Sequence, residues 1–289
     1  MIREECDMPT MKLKTGVEIF YEELGSGENY VLCTQVGHAK YELERFLPEY
    51  GFHVFLLTNR GFGRSTHVTE DYGEHWYDMF AEDVVAFADE MGIDRFVYSG
   101  ASHGAGAGWH LMLNHPERVI CFFATVAGPH NIDEGKVSVR ALGLQGKGIR
   151  HCFHYPTDDE ALLARREKGR LADEEARRAP DYEAVFNSPE TQAIDYGRPL
   201  MKYDTEARVC EMLRTIEVPT LLMGGMEDTI ARPDLMLRTA QCLPNCKLVL
   251  YSHFGHNLDP YEELAEEAVN FYRNVVTTGR VYKKVDAER

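Results

Sequence analysis

Residues 100–108 read Gly-Ala-Ser-His-Gly-Ala-Gly-Ala-Gly, "GASHGAGAG". Four glycines in nine residues are poor material for a helix or strand interior, because glycine surrenders the most backbone freedom on folding. A local requirement must explain them. A phosphate-binding loop needs a lysine after the second glycine of GxxxxGK[ST], and none is present. A dinucleotide loop needs glycines at n, n+2 and n+5, but from Gly104 the third position is Trp109 and from Gly106 it is Leu111. What fits is Gly100-x-Ser102-x-Gly104, following the apolar run "DRFVYSG" (94–100) and preceding an expected helix, Ala105–Asn114, ended by Pro116.

In such a strand–turn–helix arrangement the serine is held in a strained conformation and its neighbours must be small. The helix N-terminus favours negative charge developing beside Oγ. The N–H of the next residue, His103, points to where an oxyanion would form. A serine nucleophile also needs a base, and the base an orienting carboxylate. "PTLLMGG" is followed by "MEDTIARPD", which puts Asp228 just past a strand end, and "KLVLYSH" is followed by "FGHNLDP", which puts His256 just past the next. Glu227 is the neighbouring alternative to Asp228.

These stretches, together with "GVEIFYEELGSGENYVLCTQ" (16–35) and "NRGFGRS" (59–65), resemble the α/β-hydrolase fold superfamily over nearly the whole chain. The resemblance implies a Ser102–Asp228–His256 triad and a loop "NRGFGRS" that is mainly structural. Relatives with an aspartate nucleophile, such as haloalkane dehalogenases and epoxide hydrolases, are disfavoured by the serine. The family's usual His-Gly after the third strand is replaced by Thr34-Gln35, with Val36 as the expected second oxyanion donor and Gly37 the alternative one register on. Gln35 and His38 are candidate pocket residues, and Arg150 a candidate partner for a substrate carboxylate. His103 is expected to matter first through its backbone N–H, and His253 as strand-end structure.

Outward from the motif, short apolar or β-branched runs give about eight strands. They are Met11–Thr15, Val17–Leu24, Tyr30–Gln35, His53–Asn59, Arg95–Gly100, Val119–Gly128, Thr220–Gly225 and Lys247–His253. Turn residues join the first ones, which suits an antiparallel start; helices and strands then alternate, as in parallel crossover units. Trp76–Met91 places Phe80, Val84, Phe87 and Met91 on one helix face, and Asp259-Pro260 is expected to open a last helix. The segment 129–217 is far longer than a crossover needs and rich in charge, so it is expected to be an inserted helical lid on a core of 1–128 and 218–289. The fold class is therefore α/β, a mostly parallel eight-stranded sheet flanked by helices.

Lys and Arg number 31 against 47 Asp and Glu, a net charge of −16 that disfavours nucleic acid and anionic membranes. The N-terminus MIREECDMPT is not expected to be a signal peptide, and no apolar run reaches membrane-spanning length. The odd count of seven cysteines, some in strand-like runs, suits a reducing cytoplasm. Cys242 and Cys246 have no second pair at zinc spacing, and His151 and His154 no further ligand, so no metal is expected. The expectation is a cofactor-free serine hydrolase acting on an ester, thioester or lactone of a small metabolite. Its alternatives are hydrolysis of a carbon–carbon bond in a ring-fission diketone, a cofactor-free oxygenase, or a ligand receptor without catalysis. Asn257, where ring-fission relatives often carry an aromatic residue, counts against the first alternative. Assembly into a homo-oligomer is left open.

Overall fold

The computed structural model describes residues 9–35, 43–129, 158–161, 163–164, 166–168, 171, 191, 194, 198–258 and 261–278. The strands are β1 (Thr10–Lys12), β2 (Glu18–Gly25), β3 (Tyr30–Gln35), β4 (His53–Thr58), β5 (Phe96–Ala101), β6 (Val119–Thr125), β7 (Thr220–Gly225) and β8 (Cys246–Tyr251). They form one sheet in the order β1-β2-β4-β3-β5-β6-β7-β8. β1 and β2 pair antiparallel, as does β2 with β4, and every later pairing is parallel. The antiparallel start is as expected, but β3 does not pair with β2. Its residues Val31–Thr34 are all buried, as in an interior strand covered on both faces, whereas β2 alternates toward exposure and suits a place near the edge.

The helices that position the site are α1 (Trp76–Glu90), α2 (His103–Asn114), α3 (Glu206–Leu213), α4 (Pro233–Cys242) and α5 (Tyr261–Thr278). α4 was not read from the sequence, although Pro233 in its first turn and Met236, Thr239 and Cys242 on its buried side carry the signal. Of the segment 129–217, the part from 198 onward packs Leu200, Val209, Leu213 and Ile216 into the same core as the sheet. Leu200 N–H donates to His110 Nε2 of α2 at 2.9 Å, and His110 Nδ1 lies 2.6 Å from Asp78 of α1. The loop 59–65 is structural as expected: Arg60 Nε donates to buried Asp83 at 2.7 Å, and Ser65 Oγ donates to the Thr58 carbonyl at 2.6 Å. Among the described residues no helix is long and apolar enough to cross a membrane.

α2 explains the two glycines that a helix would not choose. All of His103–Met112 is buried, so the helix is packed on every side. A methyl on Gly106 would overlap the Tyr77 ring of α1. One on Gly108 would overlap Phe122 of β6 and lie 2.7 Å from Tyr98 of β5. Close approach to a neighbouring helix and to the sheet outweighs the intrinsic helix penalty, about 1 kcal/mol per glycine.

On the opposite face from α2, Glu44 is buried and accepts a hydrogen bond from Ser99 of β5. Burial pushes its carboxyl above the ordinary carboxylate range, and hydrogen bonds from Ser99, its own backbone and Cys33 only partly offset this.

Two outcomes are expected. Gly108→Ala should lower the urea midpoint through overpacking worth about 1–3 kcal/mol, against the gain that alanine brings to an open helix site; a raised midpoint would contradict the packing account. For Glu44, a folded pKa above the unfolded value of about 4.3 gives stability that is complete below that value and is lost as pH rises through the folded one. Glu44→Gln has no proton to lose, so its stability relative to wild type should improve with rising pH in urea titrations. Parallel curves would show that Glu44 does not titrate there.

Candidate active site

β5 ends beneath α2, between β3 and β6, where the chain order reverses: β4 lies on one side of β3 and β5 on the other. Ligands of open α/β sheets lie outside the carboxyl ends of the strands at such a switch point. Ser102 occupies it, exposed while its C-terminal neighbours are buried. Its backbone is left-handed at φ 50°, ψ −107°, a conformation costing about 1–3 kcal/mol that persists only where the surroundings over-determine it. Here Ser102 N–H donates to the Thr125 carbonyl at 2.9 Å, and the Ser102 carbonyl accepts from Gly106 N–H at 3.2 Å. The flanking glycines answer to crowding. A methyl on Gly100 would lie 2.6 Å from the Gly104 carbonyl carbon, and one on Gly104 would overlap the carbonyl oxygen of Thr34.

The loops after β7 and β8 bring the other two residues to the serine. His256 Nε2 lies 3.0 Å from Ser102 Oγ, and His256 Nδ1 lies 2.9 Å from Asp228 Oδ2. The second carboxylate oxygen of Asp228 accepts from the N–H groups of Ile230 at 2.7 Å and Ala231 at 3.0 Å. The Asp228 side chain is fully buried and that of His256 nearly so. Since a carboxylate can only accept, Nδ1 carries the imidazole proton and Nε2 is left to accept from the serine hydroxyl. Glu227, the alternative acid, is exposed, whereas Asp228 is buried. The two loops are joined to each other: Met226 N–H donates to the Tyr251 carbonyl at 3.0 Å and Glu227 N–H to the Phe254 carbonyl at 2.9 Å. Gly225 lies so close that a methyl there would overlap the carbonyls of Phe254 and Gly255.

His103 is the first residue of α2, so its N–H precedes the helix's own hydrogen-bond ladder. Its ring packs among Phe62, Tyr77 and Phe80 with centroids 5.1–5.3 Å away, which agrees with a role through the backbone. His253 lies in the turn after β8, left-handed at φ 64°. Val36, His38 and Arg150 lie outside the described residues, as do His151 and His154; Gln35 is described as the last residue of β3, through its backbone alone.

Sequence reasoning missed two buried polar pairs beside β5: Thr34 with Tyr98, and Glu44 with Ser99. The available signal was the pair Tyr98-Ser99 inside an otherwise apolar buried strand. It also missed the His110–Asp78 pair. Burial alone would raise the Asp78 carboxyl, but hydrogen bonds from His110, His75 and Asn114 hold it well below the ordinary carboxylate range.

Known proteins supply a frame for this geometry. Among curated proteins, the one named "Putative carbamate hydrolase RutD" of Caulobacter sp. (strain K31) is 29% identical over 229 residues, covering 76% of this chain and 78% of that protein. The bifunctional esterase/perhydrolase DCH of Acinetobacter calcoaceticus is 26% identical over 279 residues, covering 86% of this chain and 93% of that protein. Among solved structures, the meta-cleavage product hydrolase CumD of Pseudomonas fluorescens IP01 shares the fold with a TM-score of 0.67, at 19% identity over 92% of this chain and 98% of that one. The profile of the alpha/beta hydrolase fold family matches residues 32–258, a span that holds Ser102, Asp228 and His256, and the chain belongs to that family.

Proposed function

We propose that this α/β-fold hydrolase is a serine hydrolase that needs no cofactor and cleaves an ester, thioester or lactone of a small molecule. The observation that carries the reading is the continuous chain from Ser102 Oγ through His256 to Asp228, with contacts of 3.0 and 2.9 Å. His256 Nε2 takes the Ser102 proton as Oγ attacks the carbonyl carbon. Asp228 holds the ring in the tautomer this requires and stabilises the imidazolium that forms. The carbonyl oxygen becomes an oxyanion, met by the N–H of His103 and by that of Val36. His256 then gives its proton to the leaving oxygen or sulfur, leaving an acyl-serine. Water, deprotonated by the same histidine, releases the acid and restores the serine.

The relatives support a hydrolase without choosing the substrate or the bond. DCH is named an esterase, and a structural neighbour at TM-score 0.61 and 20% identity is the enol-lactonase of Burkholderia xenovorans LB400. The segment 129–217 is proposed as the lid that shapes the pocket, with Gln35, His38 and Arg150 as its polar contacts. The buried thiol of Cys121 in β6 supports a reducing compartment such as the cytoplasm.

Steady-state kinetics on p-nitrophenyl esters, lactones and vinylogous diketones test the reading. Wild type should hydrolyse the oxygen esters or lactones, Ser102→Ala should abolish the activity, and Asp228→Asn should lower kcat on the order of 10³–10⁴-fold while the protein stays folded. Turnover confined to the diketones would replace ester by carbon–carbon hydrolysis. Undiminished turnover by Ser102→Ala would remove the serine mechanism altogether.

A further inference from the structure

Tyr98 is fully buried in β5, four residues before Ser102, in a strand whose other side chains are apolar or small. Its hydroxyl lies 2.6 Å from Thr34 Oγ1 at the end of β3 and 2.7 Å from the carbonyl oxygen of Gly104 in the first turn of α2. A carbonyl can only accept, so the single phenolic hydrogen goes to Gly104 and the Thr34 hydroxyl must donate to Tyr98. The relay therefore has one direction: Thr34 Oγ1–H to Tyr98 Oη, and Tyr98 O–H to Gly104 C=O. Burial pushes the Tyr98 hydroxyl well above its ordinary pKa, with the Thr34 hydrogen bond pulling the other way, so it remains a donor throughout the working pH range.

The relay joins the two elements whose separation matters most at the site. The end of β3 leads to one proposed oxyanion donor, and the first turn of α2 supplies the other, the His103 N–H. Between them the backbones approach so closely that a methyl on Gly104 would overlap the Thr34 carbonyl. Gly108 also leaves room for this phenol, since a methyl there would lie 2.7 Å from the Tyr98 ring. An apolar residue would fill that space as well; what tyrosine adds is the hydroxyl.

We infer that Tyr98, with Thr34, is a positioning residue for the oxyanion site, its hydroxyl fixing the gap between β3 and the first turn of α2. The inference rests on the serine-hydrolase reading. Donors aimed at a developing oxyanion act only when closely registered on it, and they act in the transition state rather than on bound substrate. Loosening the gap therefore lowers kcat and leaves KM nearly unchanged.

The test uses the full-length chain with p-nitrophenyl butyrate, active sites being counted by a fluorophosphonate so that kcat refers to competent enzyme. Tyr98→Phe keeps the ring and is expected to lower kcat roughly tenfold, less than the 10²–10³-fold seen when an oxyanion donor is removed outright. Thr34→Val should do the same, Thr34→Ser should recover the loss, and the Tyr98→Phe/Thr34→Val double variant should cost no more than one single change. If wild type reacts and Tyr98→Phe turns over at the wild-type kcat, the positioning role is overturned and the hydrolase reading stands. Should Tyr98→Phe fail to fold, the Thr34→Val and Thr34→Ser pair decides: equal kcat values for the two overturn the inference. A wild type that neither reacts with the fluorophosphonate nor turns over removes the serine-hydrolase reading, and this inference with it.

Discussion

The site depends on how closely the backbone of α2 approaches the end of β3. No side chain fits between the Thr34 carbonyl and the α-carbon of residue 104, and none fits between residue 100 and the Gly104 backbone. This contact forces the chain to turn sharply between β5 and α2, and the turn places Ser102 in a left-handed conformation that a serine adopts only when held there. The sheet does the holding, because β5 is parallel-paired on both sides and the residue before the turn, Ala101, is still in register with Thr125. The strain is thus borne by an interior strand paired on both sides, which resists local rearrangement.

The remaining geometry follows from parallel pairing. β7 and β8 run in the same direction as β5, so the loops carrying Asp228 and His256 emerge at the same end of the sheet as Ser102. Backbone hydrogen bonds between those loops fix their separation before any side chain is considered. Asp228 then receives two N–H donors from its own loop as well as His256, so the buried carboxylate is hydrogen-bonded at both oxygens. A serine in a strained turn, a histidine with a fixed tautomer and a satisfied carboxylate need little rearrangement to act together.

Much of this was legible in the sequence because the constraints there are local. The small residues around Ser102 stand at fixed spacing, the strands buried on both faces read as continuous apolar runs, and Asp228 follows one of these, β7, while His256 follows the apolar run of the half-buried edge strand β8. Gly106 and Gly108 were legible as positions of close packing, but their partners were not, since the rings that exclude a methyl come from Tyr77, Tyr98 and Phe122 elsewhere in the chain. The place of β3 beside β5 rather than β2 was hidden for the same reason. Glu44 meets Ser99 across 55 residues and Thr34 meets Tyr98 across 64, and such pairings leave no periodicity to read. The polar residues inside β5 marked the place without naming the partners.

The central claim is that Ser102 forms a covalent acyl intermediate, and mass spectrometry of the intact protein after acid quench of a reaction with a p-nitrophenyl ester tests it most directly. The expected result is a mass increase equal to the acyl group in place of one hydrogen, located by digestion on the peptide that contains Ser102. Turnover with no adduct detectable under burst conditions, or an adduct on any other residue, would contradict it.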